Sequence, residues 1–152
     1  MLSVAWAGSG WYAQTLVASL GGTEYPLNLD DDTHKLALYD NTITPGFGTD
    51  ESYSTSGEIS GTGYTAGGAA IASATFTVVT SGGVYAVWDG NNVQWEASTL
   101  TGVRGAIAHA DAETPKRLIL GIDFGQAYQT NDGVLLVSFN ASGIGRINVV
   151  SP

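Results

Sequence analysis

The sequence contains no cysteine and few charged residues. Without cysteine the chain can form neither a disulfide bond nor a thiolate metal site, and thiol catalysis is excluded. Charged residues make up 12% of the chain, whereas about 25% is usual for a globular domain. The 14 acidic and 5 basic residues give a formal net charge of -9, which repels nucleic acids and anionic membranes. We therefore expect neither a nucleic-acid partner nor a membrane partner.

Long apolar runs are absent as well. No uninterrupted apolar stretch approaches the roughly 20 residues that span a bilayer. Residues 1–14, MLSVAWAGSGWYAQ, lack the basic start and the continuous apolar core of a secretory signal. These absences predict a soluble protein that is made in a cytoplasm.

Glycine is abundant, with 21 residues in the chain of 152. A surface that is poor in charge must be built largely from glycine, serine, threonine, asparagine and backbone groups. Because the centres of protein interfaces are depleted in charged residues, this composition favours a protein that is packed against other proteins.

Short strands separated by turn residues dominate the sequence. Residues 35–40 (KLALYD) and 74–80 (ATFTVVT) alternate in the manner of strands. Three hairpins are predicted: VYAVWDGNNVQWEAS around DGNN, VRGAIAHA with RLILGIDF around DAETPK, and GVLLVSFN with IGRINVV around ASG. Turn signals at intervals of roughly 8 to 12 residues predict an all-β fold, an antiparallel β-sandwich or barrel-like single domain.

The N-terminal part is less regular. Residues 11–20 (WYAQTLVASL) are the one segment that could form a short helix. We expect residues 1–29 to form an irregular arm with the first element, and residues 30–152 to form the β-sandwich domain. The aromatic residues of the arm are predicted to contact a neighbouring subunit, and deletion of residues 1–11 is predicted to leave the domain folded. These candidate contact residues are Trp6, Trp11 and Tyr12.

The segment GTGYTA, residues 61–66, satisfies the dinucleotide pattern G-x-G-x-x-G/A. That pattern binds a pyrophosphate only where it follows a buried strand and opens a helix. Here the preceding TDESYSTSGEIS is polar, and the following GGAAIASATFTVVT suits a strand. We therefore predict no nucleotide cofactor, and a structural role at a bend for four glycines: Gly61, Gly63, Gly67 and Gly68.

No residue pattern points to an enzyme or a metal site. His34 and His109 each lack a second histidine at ligand spacing, and no G-x-S-x-G elbow is present. The run 30–32 (DDD) resembles a calcium loop but lacks its central glycine and terminal glutamate, so a solvated turn is favoured. The 14 acidic residues leave open a glycosidase-type pair, whose separation the sequence does not give. We expect no catalytic residue, metal or cofactor.

Trp88 and Trp95 lie on the two arms of the predicted hairpin around DGNN. This placement favours core packing or a cross-strand pair over a ligand platform. The sequence 140–142 (NAS) is formally a glycosylation site, but it suits the turn of the predicted third hairpin.

Several phrases occur in an order that resembles a family of small tailed-phage virion proteins. They are LYDNTITP, SGTGYTAGG, DFG and FNASGI, and the similarity spans roughly residues 30–149. Residues 1–29 have no recognised counterpart. Members of that family are described as head decoration, minor capsid or minor tail proteins, so the resemblance implies a virion component.

The acidic charge favours the outer surface of a capsid, because packed DNA would repel the protein from the inner wall. We therefore expect a non-enzymatic decoration or cement protein that binds the major capsid protein, forms a small homo-oligomer and is made in the host cytoplasm. A minor tail or baseplate protein is the alternative, and a carbohydrate-binding module at the host surface is a second one.

Overall fold

Strands dominate the computed structural model, which describes residues 6–22, 27–31 and 33–150. Within these ranges there is one helix, α1 (Ala13–Leu20), which confirms the predicted helical segment. The predicted all-β class is also confirmed. The strands are β1 (Gly10–Trp11), β2 (His34–Tyr39), β3 (Ala69–Ala70), β4 (Thr75–Val79), β5 (Tyr85–Asp89), β6 (Val93–Ser98), β7 (Val103–Ala110), β8 (Leu118–Tyr128), β9 (Gly133–Val137) and β10 (Gly145–Asn148).

The largest sheet has five antiparallel strands in the order β1, β8, β7, β2, β3. Strands β7 and β8 pair around residues 111–117, as predicted, and β2 lies against the other edge of β7. Most side chains of β2 and β7 are buried on both faces of the sheet. The sheet is therefore the centre of the molecule and needs a cover on each side.

One cover is a long two-stranded ribbon with a bend. Residues 85–98 run antiparallel to residues 133–148, with β5 paired to β10 before the bend and β6 paired to β9 after it. Strand β4 adds to the other edge of β5 through a turn at residues 80–84. The two layers form a β-sandwich-like fold.

Two of the three predicted hairpins are therefore wrong. Strands β5 and β6 do not pair around residues 90–92, and β9 and β10 do not pair around residues 138–144. Residues 90–92 bend the segment 85–98, and residues 138–144 bend the segment 133–148. These two segments pair with each other. The two bends are joined where the Phe139 N–H donates to the Asn92 side-chain oxygen at 2.9 Å. The Gly143 N–H, one residue beyond the NAS sequence, closes a turn by donating to the Asn140 carbonyl oxygen at 2.9 Å.

The predicted facing positions of Trp88 and Trp95 are wrong for the same reason, although both side chains lie in the core. Trp88 is fully buried and its Nε1–H donates to the Leu29 carbonyl oxygen at 2.9 Å. Trp95 packs beside Tyr64, with ring centroids 6.0 Å apart. Both tryptophans belong to the core cluster between the two layers.

A second core cluster lies on the opposite face of the five-stranded sheet. It is covered by the loop of residues 43–53 and by the N-terminal segment. The buried members are Trp6, Tyr12, Ala37, Tyr39, Ile107 and Leu118. The described part of the N-terminal region thus completes the domain, and it adds β1 to the edge of β8. Among the described residues no helix has the length and hydropathy of a membrane span.

Candidate functional site

The glycine-rich segment ties the two layers together by close backbone approach. Residues 61–63 lie against the end of β6, where the Thr99 N–H donates to the Thr62 carbonyl oxygen at 3.0 Å. A Cβ at Gly63 would lie 2.9 Å from the Glu96 carbonyl oxygen. Residue 68 lies against β2, and the chain then enters β3. The segment therefore spans from one layer to the other.

All four of the glycines predicted to be structural have positive φ angles. The values are 158° at Gly61, 78° at Gly63, 92° at Gly67 and 79° at Gly68. The segment does not have the surroundings of a dinucleotide site. It follows an isolated bridge at Glu58 and leads into a strand, whereas a pyrophosphate site needs a helix N-terminus at this point.

The carboxylate of Glu58 organises this segment. Its side chain accepts hydrogen bonds from the Tyr64 hydroxyl at 2.6 Å, from the Gly67 N–H at 2.7 Å and from the Tyr53 hydroxyl. Burial, together with the hydrogen bond to Glu58, raises the pKa of Tyr64, so its hydroxyl remains a donor. The Tyr64 oxygen also accepts the Leu38 N–H at 3.0 Å. One carboxylate thus connects the glycine segment, the preceding loop and β2.

His109 on β7 contacts both the glycine segment and Tyr53. Its Nε2 lies 2.9 Å from the Gly67 carbonyl oxygen, so Nε2 carries the hydrogen and donates. Its ring stacks on Tyr53 with centroids 4.5 Å apart, and its buried Nδ1 has no hydrogen-bond partner among the described residues. Burial lowers the pKa of His109, against weaker opposing effects of the Gly67 hydrogen bond and nearby carboxylates. The Glu58 and His109 cluster was missed from the sequence.

This burial predicts an acid-sensitive fold. The unfolded chain takes up a proton near the ordinary histidine pKa of about 6.5, whereas folded His109 resists it, so the free energy of unfolding falls as the pH drops below that value. The loss approaches about 1.4 kcal/mol per pH unit until the lower folded pKa is reached. Urea unfolding between about pH 7 and about pH 5 measures this effect. The free energy of unfolding should depend less steeply on pH for His109→Gln than for the wild type. Equal slopes would contradict it.

The aromatic residues predicted to contact another subunit are mostly inside this chain. Trp6 is 1% exposed and Tyr12 is 0% exposed. Neither is available to a neighbour in this conformation, which corrects that expectation for both. Trp11 is half-buried against Trp88, with ring centroids 6.0 Å apart. It alone of the three keeps accessible surface.

The acidic run at residues 30–32 has local hydrogen bonds rather than a metal site. An Asp30 carboxylate oxygen accepts the Phe76 N–H, and an Asp31 carboxylate oxygen accepts the Thr33 N–H at 2.9 Å. Asp32 lies outside the described residues. Within the described ranges, no group of three histidine or acidic side chains could hold a metal ion. His34 and His109 are both buried, and each has a backbone carbonyl partner.

One face of the sheet formed by β4, β5 and β10 carries exposed apolar side chains beyond the buried Trp88. Val78 is directly opposite Ala86, which is opposite Ile147, so their side chains share a face. Val78 is 70% exposed and Val149 is 60% exposed. We name this surface the apolar sheet face and define it by Phe76, Val78, Ala86, Ile147 and Val149. Residues 74–88 carry no charge at all.

A groove between β8 and β9 is the aromatic surface on which a sugar could stack. Its volume is about 330 Å³, and it is lined by apolar side chains that include Phe124, Leu136 and Phe139. Only Tyr128 and Ser138 add a side-chain hydroxyl. A carbohydrate site needs several polar side chains to fix sugar hydroxyls, so this groove gives little support to that alternative.

No family model, curated protein or solved structure matches this chain. The order of the sequence phrases and the surfaces described above are therefore the basis for a functional proposal.

Proposed function

We propose that this chain is a capsid decoration protein of a tailed phage, attached to the major capsid protein on the outer head surface. The observation that carries the proposal is the apolar sheet face, since soluble proteins seldom expose a contiguous apolar surface without a binding role. The sequence resemblance supplies the virion setting.

The chemistry of the apolar sheet face suits a protein partner. It combines a large ring at Phe76 with branched side chains at Val78 and Val149, and residues 74–88 of β4, β5 and their turn contribute no charge. Because the chain as a whole has a net charge of -9, this uncharged stretch is where a partner can approach without burying an unpaired carboxylate. The acidic remainder then faces outward, away from the packed genome.

Attachment through such a face need not be tight for each copy. A small homo-oligomer that contacts several capsid subunits gains from multivalency, so modest interfaces reinforce a shell together. The role requires no chemistry, and we propose that the protein is not an enzyme.

The direct test is quantitative mass spectrometry of purified virions from the phage that encodes the chain. We expect hundreds of copies per particle, in a fixed ratio to the major capsid protein. Separating heads from tails before the measurement assigns the location. A handful of copies that remain with the tails would refute decoration and favour the minor tail or baseplate alternative.

A matched pair of variants tests the surface. Val78→Asp adds a carboxylate to the apolar sheet face, whereas Val17→Asp adds one to α1 at a valine of nearly equal exposure, 69% against 70%. Burying an unpaired carboxylate in an interface costs several kcal/mol, so we expect Val78→Asp to lower virion occupancy about tenfold or more. Val17→Asp should leave occupancy unchanged. Equal occupancy of both variants would contradict attachment through this face.

A further inference from the structure

Strand β4 forms an exposed edge of the three-stranded sheet. It pairs with β5 on one side and with no other strand of the described ranges on the other side. All five of its side chains are exposed, and its register with β5 contains no bulge. Proteins usually protect such an edge with charged residues, proline or a bulge. The sequence of β4, TFTVV, has neither charge nor proline, and its residues have high β propensity.

The free edge of β4 presents the backbone groups of Phe76 and Val78. Successive residues of an antiparallel strand direct their N–H and C=O groups to alternate sides. The Phe76 N–H donates to an Asp30 carboxylate oxygen and not to β5, so residues 76 and 78 face away from β5. On that side the backbone N–H and C=O of Val78 have no hydrogen-bond partner among the described residues. A further strand can therefore pair here.

Charge favours a second copy of this chain as that strand. Residues 59–88 carry no charge, and they include all of β4 and its turn to β5. Of the charged groups around the sheet, Asp30 lies at the edge itself, Asp89 is opposite Thr75 on β5, and Arg146 lies on β10. Two copies that each have a net charge of -9 repel each other, so they approach most readily where the charge is lowest.

We propose that β4 pairs with β4 of a second copy, antiparallel and about a two-fold axis at Thr77. Phe76 then lies opposite Val78 of the second copy, and the two Thr77 residues face each other. Aromatic with β-branched residues and threonine with threonine are favourable cross-strand pairs. The pairing occupies the free edge of both copies, so the interface is isologous and closes as a dimer. The two apolar sheet faces lie on the same side of the joined sheet.

Asp30 limits the strength of this pairing. The Phe76 N–H must leave the Asp30 carboxylate to bond the Val78 carbonyl oxygen of the second copy, and two Asp30 side chains then border the same interface. A contact between two five-residue edges is also small against the roughly 1,200 to 2,000 Å² of a stable interface. We therefore expect a reversible, concentration-dependent dimer. The inference rests on the proposed function only for the role of this dimer in the virion.

Single cysteines test the register, because the chain has no cysteine of its own. In the proposed dimer the two Thr77 residues form a non-hydrogen-bonded pair with Cα atoms about 4.5 Å apart, within the reach of a disulfide. In oxidised glutathione, Thr77→Cys should form a linked dimer about tenfold faster or more than Asn148→Cys. Asn148 is the matched control, an exposed residue on the same face of the opposite edge strand, β10. Equal rates would overturn the inference.

Sedimentation equilibrium measures the dimer without a crosslink. Asp30→Asn should lower the dissociation constant of the dimer about threefold or more, because it removes one negative charge per copy from the interface. Asp132→Asn makes the same change of charge in the exposed turn between β8 and β9 and should have no such effect. Equal effects of the two variants would contradict the pairing.

The wild-type result separates this inference from the proposed function. A purified chain that stays monomeric at millimolar concentration, or that forms open-ended aggregates, overturns the β4 pairing and leaves capsid attachment to the virion measurements. A dimer with the expected crosslink, formed by a chain that is absent from virions, supports the pairing and refutes the decoration role alone.

Discussion

Gly68→Ala should leave little folded protein. The residue has a φ angle of 79°, and an added Cβ would overlap the Leu36 carbonyl group and lie 2.7 Å from the Ala37 Cα. These atoms belong to the backbone of β2, a buried inner strand of the five-stranded sheet, so they cannot rotate away. We expect a loss of more than about 4 kcal/mol, a large share of the 5 to 15 kcal/mol that is typical of a domain.

The adjacent Gly67→Ala is the matched control. Its φ angle is 92°, but an added Cβ would meet no atom within 4 Å. Only the backbone strain of a left-handed alanine remains, about 1 to 2 kcal/mol. Urea unfolding followed by tryptophan fluorescence measures both variants. Similar losses in the two would show that the φ angle rather than the contact with β2 determines the effect.

The sequence predicted those elements whose partners are close in the chain. Strands β7 and β8, which were predicted to pair, are joined by a short loop, so local turn chemistry suffices to pair them. The segments around DGNN and NASG contain similar turn residues, but there the chain bends and does not fold back into a hairpin. Such residues permit an unusual φ angle, and they do not decide which strand pairs with which. Residues 85–98 pair instead with residues 133–148, and both tryptophans of the first segment, Trp88 and Trp95, are buried.

The site was predictable only in part for the same reason. The need for glycine at residues 61–68 follows from a local pattern. The hydrogen bond between His109 Nε2 and the Gly67 carbonyl oxygen joins residues 42 positions apart. No sequence pattern near either residue predicts it. A weak signal was present at Glu58, a single carboxylate within a glycine-rich and otherwise uncharged segment, residues 54–72. A lone acidic residue at that position is more informative than the acidic run at 30–32, which makes local turns.

Glycine and serine interrupt the N-terminal segment, a pattern that predicts an arm outside the core. The structure corrects this assignment. Trp6 lies over Gly105 of β7, where an added Cβ would come within 2.7 Å of the indole ring, and its Nε1–H donates to the Asp40 carbonyl oxygen at 2.9 Å. The sequence signal was Gly105 itself, a gap in an apolar strand that a large side chain fills.

Trp6→Ala should therefore destabilise the protein by about 3 to 5 kcal/mol, the usual cost of removing a large buried aromatic side chain. The substitution leaves a cavity against Gly105 and an unpaired carbonyl at Asp40. The stability of Trp6→Phe should lie between that of Trp6→Ala and that of the wild type, because a ring remains while the indole donor is lost. Val17→Ala, at a side chain that is 69% exposed, is the control and should change stability by less than about 0.5 kcal/mol.

Deletion of residues 1–11 should cost more than Trp6→Ala, the reverse of what an arm outside the core predicts. It also removes β1 and the Trp11 ring that packs on Trp88, and with them the bond from the Asp123 N–H to the Ser9 hydroxyl at 2.9 Å. Loss of two aromatic side chains and an edge strand approaches the whole stability of a typical domain. Thermal unfolding followed by circular dichroism should show no cooperative transition for the truncated chain. If the truncated chain unfolds cooperatively near the wild-type temperature, the N-terminal segment is an arm independent of the domain core. Its aromatic residues would then again be candidates for contact with another subunit.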